Sequence, residues 1–170
     1  MWWQPHDVQI EFHSFPRLNI TGKDLAGPVS TSFDFHNHLH LFCMYALQLT
    51  GFDFMEGRID LAPEEEPVVR KQFEIDPRCF DFGPYAVIVP GAQFRDKVLY
   101  AASGRYALSA RSGKYYDERL FHGAFKNNEI PFAKQSRFRY QQEFRFCINT
   151  GTTGASPLIL DIGDIRNLSR

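Results

Sequence analysis

Two runs of alternating apolar and polar residues dominate the chain. From Val29 to His38, Val29, Thr31, Phe33 and Phe35 stand opposite Ser30, Ser32, Asp34, His36 and His38. The apolar run through Phe42, Met44 and Tyr45 extends this into a central buried strand reaching about Leu47. In the second run Phe138, Tyr140, Gln142, Phe144 and Phe146 fall on one face, and Arg139, Gln141, Glu143 and Arg145 on the other. This strand runs to about Ile148, turns at Asn149–Gly154, and is expected to pair antiparallel with a last strand over 157–162.

Shorter patterns fill in the rest. Val8–Phe12 and Arg17–Thr21 read as a strand meander, and Tyr85–Val89 as a short strand stopped by Pro90-Gly91. Phe94, Val98, Leu99 and Ala102 recur at helical spacing, which predicts a helix over 92–102 ended by Gly104. Arg105–Ala110 and Lys114–Tyr116 suggest a hairpin across residues 111–113. Gly51–Pro67, with Glu64-Glu65-Glu66 between prolines, reads as an exposed acidic loop with a helical turn nearby. Residues 117–131 read as irregular. The pattern predicts an α+β fold, a strand-rich single domain over residues 1–170 with a mainly antiparallel sheet.

Composition narrows the function classes. A chain of 170 residues is long enough to bury a real core, and 17 phenylalanines favour sheet over helical bundle. The formal net charge of −1 gives no global attraction to nucleic acid or an anionic membrane. Basic residues do interleave with aromatics around Lys126, Lys134, Arg137, Arg139 and Arg145, which suits a nucleic-acid surface or a charged sheet edge. The three cysteines, Cys43, Cys79 and Cys147, lie far apart and form no Cys-x-x-Cys pair, so they read as small buried hydrophobes. Met1–Asp7 lacks a basic region followed by an apolar one, and Leu39–Leu47 is too short to span a bilayer. A cytoplasmic protein with no membrane partner is the expectation.

Two constellations carry candidate chemistry. On a strand, Asp34, His36, His38 and His40 share a face, but three such histidines span about 13 Å, so at most two reach one ion. No third ligand follows at metal spacing, and no metal is expected. His122 reads as an exposed residue or part of an acceptor loop. Glu143 is the second candidate: flanked by Arg139, Arg145 and Gln141, it is an ionised carboxylate fixed on a rigid element. The same face also reads as a solvated strand surface whose charges balance.

Gln141-Gln142-Glu143 has the Gln-x-Glu form of ADP-ribosyltransferases, and Ser30-Thr31-Ser32 is similar to their Ser-Thr-Ser strand. Residues 29–165 also resemble a broad set of small bacterial proteins ending in Phe-x-Lys…Glu-x-Arg, here Phe132-x-Lys134 and Glu143-x-Arg145. That set looks distantly related to the ADP-ribosyltransferase fold, which includes toxins that modify DNA. The resemblance implies a bacterial or phage toxin or defence protein that uses NAD as substrate. It makes Glu143 the catalytic carboxylate, Gln141 the acceptor-positioning residue, and Arg17, Ser30 and Ser32 contacts to NAD. The acceptor would be a nucleic acid or a protein, and a cognate antitoxin is implied. The rival expectation is a non-enzymatic immunity or antitoxin module, whose Glu64–Glu66 loop steers it toward a basic toxin.

Overall fold

Glu143–Asn149 forms the strand on which the rest is organised (β9). Its residues from Arg145 to Ile148 are buried without interruption, the signature of a strand covered on both faces. The computed structural model describes residues 2–3, 9–12, 15–21, 29–30, 34–51, 61–121, 123, 125–154 and 156–168, with side chains from residue 36 onward. The element order is β1 (Trp2–Trp3), β2 (Gln9–Phe12), β3 (Phe15–Thr21), β4 (Val29–Ser30), β5 (Leu39–Tyr45), α1 (Glu66–Gln72), α2 (Gly91–Ala102), β6 (Ala107–Ser112), β7 (Lys114–Tyr116), β8 (Ala133–Gln135) and β9. The class is α+β.

The central sheet has the order β5-β9-β6 and is antiparallel throughout. β5 pairs with β9 from Leu39↔Asn149 to Tyr45↔Glu143, and β6 pairs from Ala107↔Asn149 to Ser112↔Phe144. Among the described residues three two-stranded pairings accompany it: β1 with β4, β2 with β3, and the parallel pair of β7 with β8. The β2–β3 pairing bears out the meander expected near the N-terminus.

One face of the sheet is dry. α2 lays Phe94, Val98 and Ala102, at i, i+4 and i+8, against it. Phe94 and Val98 cluster with Phe146, joined by Met44, Leu108, Ala110 and Phe144. Phe94 meets Phe146 edge-on at 6.1 Å, and Phe144 meets it at 5.4 Å. After α2, Gly104 adopts φ +73°, a left-handed turn that lets the chain reverse directly into β6.

Several expected elements differ. Residues 157–162 form no strand, because β5 and β6 already occupy both edges of β9 and leave no free ladder. The tail instead packs Leu160, Ile162, Ile165 and Leu168 against the α2 side of the core. Residues 138–146 are not one strand either. Ser136–Gln141 is a short 3-10 helix, and Gln142 takes φ +38° before β9 begins. The hairpin over 105–116 is absent: β6 pairs with β9, while the Gly113 N–H donates to the Glu143 carbonyl and the chain leaves the sheet to pair β7 with β8. The long strand from Val29 is interrupted by a 3-10 helix at Asp34–His38, so β5 starts only at Leu39. Tyr85–Val89 is unpaired and largely exposed. In the acidic stretch, residues 52–60 lie outside the described residues, and α1 begins at Glu66.

Phe146 is 1% exposed and touches rings from three directions, so truncation leaves a cavity that neighbouring strands cannot close. Phe146→Ala should lower unfolding free energy by roughly 3–5 kcal/mol in urea titrations, whereas truncating exposed Tyr100 should change it little.

Candidate functional site

Alternation along β9 that sends Phe144 and Phe146 to the α2 side sends Glu143, Arg145 and Cys147 to the opposite face. That face is covered by residues 130–141, which fold back through the 3-10 turn Ile130–Phe132, β8 and the 3-10 helix Ser136–Gln141. Pro131 and Phe132 are buried. A charged strand face has therefore become an interior one, and its charges are paired.

Glu143 is the centre of the pairing. Lys134 Nζ on β8 donates to Glu143 Oε1 at 2.5 Å, and Arg145 Nε donates to Oε2 at 2.7 Å. The Glu143 side chain is 12% exposed, Lys134 18% and Arg145 9%. Lys134 also donates to the Gln141 side-chain oxygen. The remaining guanidinium edge is used as well: Arg145 Nη1 donates to the Pro131 carbonyl at 2.7 Å. Tyr115 on β7 accepts the Glu143 backbone N–H at its hydroxyl, 2.9 Å away.

The left-handed residue Gln142 makes this geometry. On a straight strand Gln141 and Glu143 would project in parallel from one face. Here Gln141 ends a helix and Glu143 begins a strand, and Lys134 sits against both. The two motif halves Phe132-x-Lys134 and Glu143-x-Arg145 thus form a single cluster. Arg139 does not flank Glu143 as the alternation suggested; it is exposed, with its guanidinium carbon 5.8 Å from the Tyr115 ring centre.

Burial works to raise the Glu143 pKa, but hydrogen bonds and charge from Lys134 and Arg145 outweigh it and hold the carboxyl below its ordinary value. Of the three cysteines expected to be buried, Cys147 is; Cys79 is half-buried, and Cys43 is exposed because β5 is an edge strand, although partial desolvation of its thiol, directly opposite Arg145 in the ladder, still raises its pKa. Burial likewise raises the phenols of Tyr45 and Tyr115.

Gln141 and Glu143 line a cavity of about 730 Å³, whose walls include Tyr45, Cys79, Phe82 and Phe94. Its size and aromatic walls suit a small organic ligand, with the carboxylate and amide as its polar end. Tyr45 stands opposite Glu143 in the β5–β9 register. Its hydroxyl is buried and has no hydrogen-bond partner among the described residues. Such an orphan costs about 1–3 kcal/mol. Neither Tyr45 nor the role of Lys134 was apparent from strand periodicity; Tyr45 needs the β5–β9 register to be seen. A shallower depression of about 990 Å³ over Ala86–Pro90 and Leu168 holds no ionisable side chain among its described lining residues.

The other sequence candidates are described only in part. Arg17 lies on β3 and Ser30 on β4, with only their backbones described; Ser32 and His122 lie outside the described residues. His36 and His38 lie on a 3-10 helix and His40 on β5, so they do not share a strand face. His38 Nε2 lies 3.0 Å from Thr153 Oγ1. No helix among the described residues is long and apolar enough to cross a membrane. Compared with family models, with curated proteins and with solved structures, the chain matches none.

A carboxyl whose pKa is depressed by folding stabilises the fold above the unfolded pKa, and that contribution is lost as pH falls through the folded value. For Glu143 the loss begins near the ordinary carboxyl pKa of 4.5 and grows below it. Glu143→Gln should flatten the acid limb of a stability–pH curve. At neutral pH it should also cost about 3–5 kcal/mol, because Lys134 and Arg145 lose their counter-charge in a mostly buried site. A solvated strand face with balanced charges, the other reading of the alternation, predicts almost no cost.

Proposed function

We propose that the chain is an ADP-ribosyltransferase-like protein that takes NAD as substrate, a bacterial or phage toxin or defence effector. The observation that carries this reading is the placement of Gln141 and the ionised Glu143 side by side on the wall of one cavity. In the reaction the bond between ribose C1′ and the nicotinamide nitrogen breaks, and its electron pair neutralises the pyridinium. The ribose passes through an oxocarbenium-like state. The acceptor's nucleophile then bonds to C1′ and releases its proton to solvent. A carboxylate has about four lone-pair directions, so Glu143 retains capacity to accept a ribose hydroxyl while bonded to Lys134 and Arg145. Gln141 orients the acceptor, and Arg17, Ser30 and Ser32 remain the proposed contacts to the rest of NAD. An ADP-ribosyltransferase-like fold is part of the same proposal, supported by the α+β class and the antiparallel central sheet.

One observation favours a second reading. Both oxygens of Glu143 carry a cationic partner, an arrangement that also serves a purely structural ion cluster. In that case the protein is a non-enzymatic immunity or antitoxin module, and α1 with its preceding glutamates is a candidate docking element for a basic partner.

Incubation with NAD labelled on the adenylate moiety, with cell lysate and with nucleic acid, separates the two. Transfer or hydrolysis is expected from the wild type. Glu143→Gln should reduce it by roughly a hundredfold or more, the scale of losing an electrostatic stabiliser. Because this substitution also destabilises the fold, rates are compared below the melting transition of each variant, and Glu143→Asp, which keeps the charge, should retain more activity. Equal turnover by wild type and Glu143→Gln, or none by either, rejects the transferase reading.

A further inference from the structure

The short helix Ser136–Gln141 alternates arginine with aromatic residues, and its arginines lie over rings. The Arg137 guanidinium carbon is 4.8 Å from the Phe138 ring centre, and that of Arg139 is 5.8 Å from Tyr115. Arg78, on the 3-10 helix Pro77–Phe82, lies 4.0 Å over Tyr140 of the same segment. Asp76 neutralises Arg78. Arg137 and Arg139 are exposed, and neither has a carboxylate within salt-bridge distance among the described residues. From Lys134 to Arg145 there are four basic side chains and one carboxylate, in a chain whose formal net charge is −1. The cationic excess is local.

A guanidinium resting on a ring has one face covered and its N–H edge held outward. Part of its rotamer freedom is already lost, so less is lost on binding. Outward N–H edges recognise phosphates, while guanidinium planes and rings accept unstacked bases. An acidic protein surface would use the charge but not the stacked planes. A duplex would offer phosphates but keep its bases hidden. The same short helix ends at Gln141, on the wall of the Glu143 cavity, so the strip leads from open surface to that site.

We infer that Arg137 and Arg139, backed by Phe138 and Tyr115 and continued by the Arg78–Tyr140 stack as a base platform only, form a docking surface for single-stranded nucleic acid on the strip that ends at the Glu143 site. This deepens the transferase reading by naming the class of acceptor, yet the binding itself requires no NAD. Failure of one is therefore distinguishable from failure of the other.

Fluorescence anisotropy with short labelled oligothymidine and oligouridine, and with a duplex of equal length, tests the surface without NAD. Both single strands should bind, and the duplex about tenfold more weakly or worse. Arg137→Ala with Arg139→Ala should weaken binding about tenfold or more. The same pair should flatten the slope of log affinity against log salt by about 0.7 for each arginine removed. Arg137→Lys with Arg139→Lys keeps the charge and should retain the slope while losing affinity, because the stacked planes are gone. Arg70→Ala, on α1, should change nothing. Should the alanine pair fail to fold, the lysine pair and the wild-type salt slope decide the matter. The inference is overturned by no saturable binding in the wild type, by duplex or heparin binding as tightly as single strands, or by unchanged affinity in the lysine and alanine pairs. Oligonucleotide binding without NAD turnover would remove the transferase reading and leave the surface standing.

Discussion

Glu143 carries a cation on each carboxylate oxygen at the first residue of the central strand, and much of the chain's path is set by that requirement. Taking three charges largely out of water costs several kcal/mol per ion, and the cost is offset only when the pairing is complete and remaining donors find acceptors. Lys134 must therefore come from β8, which fixes the parallel β7–β8 pair beside the sheet. Arg145 must find carbonyl oxygen beyond Glu143, and the Pro131 carbonyl supplies it, which pins the turn at Ile130–Phe132. Tyr115 closes the same cluster from β7. Residues 130–141 have little freedom to sit elsewhere, since any other placement strands a buried charge. Replacing such a cluster with apolar residues is often neutral for stability, so its contribution lies in specifying one arrangement.

The two faces of the sheet follow different physics. Against α2 the contacts are apolar and aromatic, non-directional, and tolerant of modest slippage. Against residues 130–141 they are ionic and hydrogen-bonded, with distances that admit little adjustment. A rigid polar face beside a cavity is the better foundation for a reacting group, and it is on this side that Glu143 and Gln141 meet the cavity. Arg111 on β6 extends the polar face, stacking over Phe132 and donating to the Asn128 carbonyl.

Periodicity made α2 legible because Phe94, Val98 and Ala102 lie at true helical spacing and face one packed layer. It made β5 and β9 legible as strands, but the central buried one is β9 alone: β5 lies at the sheet edge and leaves Leu41 and Phe42 half exposed, because a sequence does not show which strand is covered on both sides. It failed at 138–142 because the same alternation of Arg and aromatic residues is compatible with a strand face and with a short helix whose arginines stack on rings. The choice is made by the Lys134 contact to Gln141 and by the left-handed Gln142, neither visible as a pattern. It failed at 157–162 because a sequence shows that a segment alternates, not whether an edge is free to receive it. Glu143 was legible as a candidate through its neighbours, but its partners were half wrong: Arg145 was correct, while Lys134, nine positions away, stands where Arg139 was expected.

One carboxylate is thus asked to serve two ends that pull against each other. As the hub of an ion cluster, Glu143 is best when both cations stay close, which keeps it ionised and immobile. As a stabiliser of a cationic transition state it is best when its negative potential is not offset, because two adjacent positive charges oppose the charge that builds on the ribose. Within the proposed reaction the conflict is resolved by the less committed partner. Arg145 is almost wholly buried and also bonded to a backbone carbonyl, so it stays. Lys134 is the more exposed of the two, ends in a flexible ammonium, and has a second acceptor in the Gln141 oxygen. A substrate entering the cavity that engages Gln141 would draw Lys134 with it, loosening the Oε1 contact while Arg145 holds the carboxylate in place. On that proposal Gln141 would act on the charge at Glu143 as well as on the acceptor, with Lys134 as the link between the two.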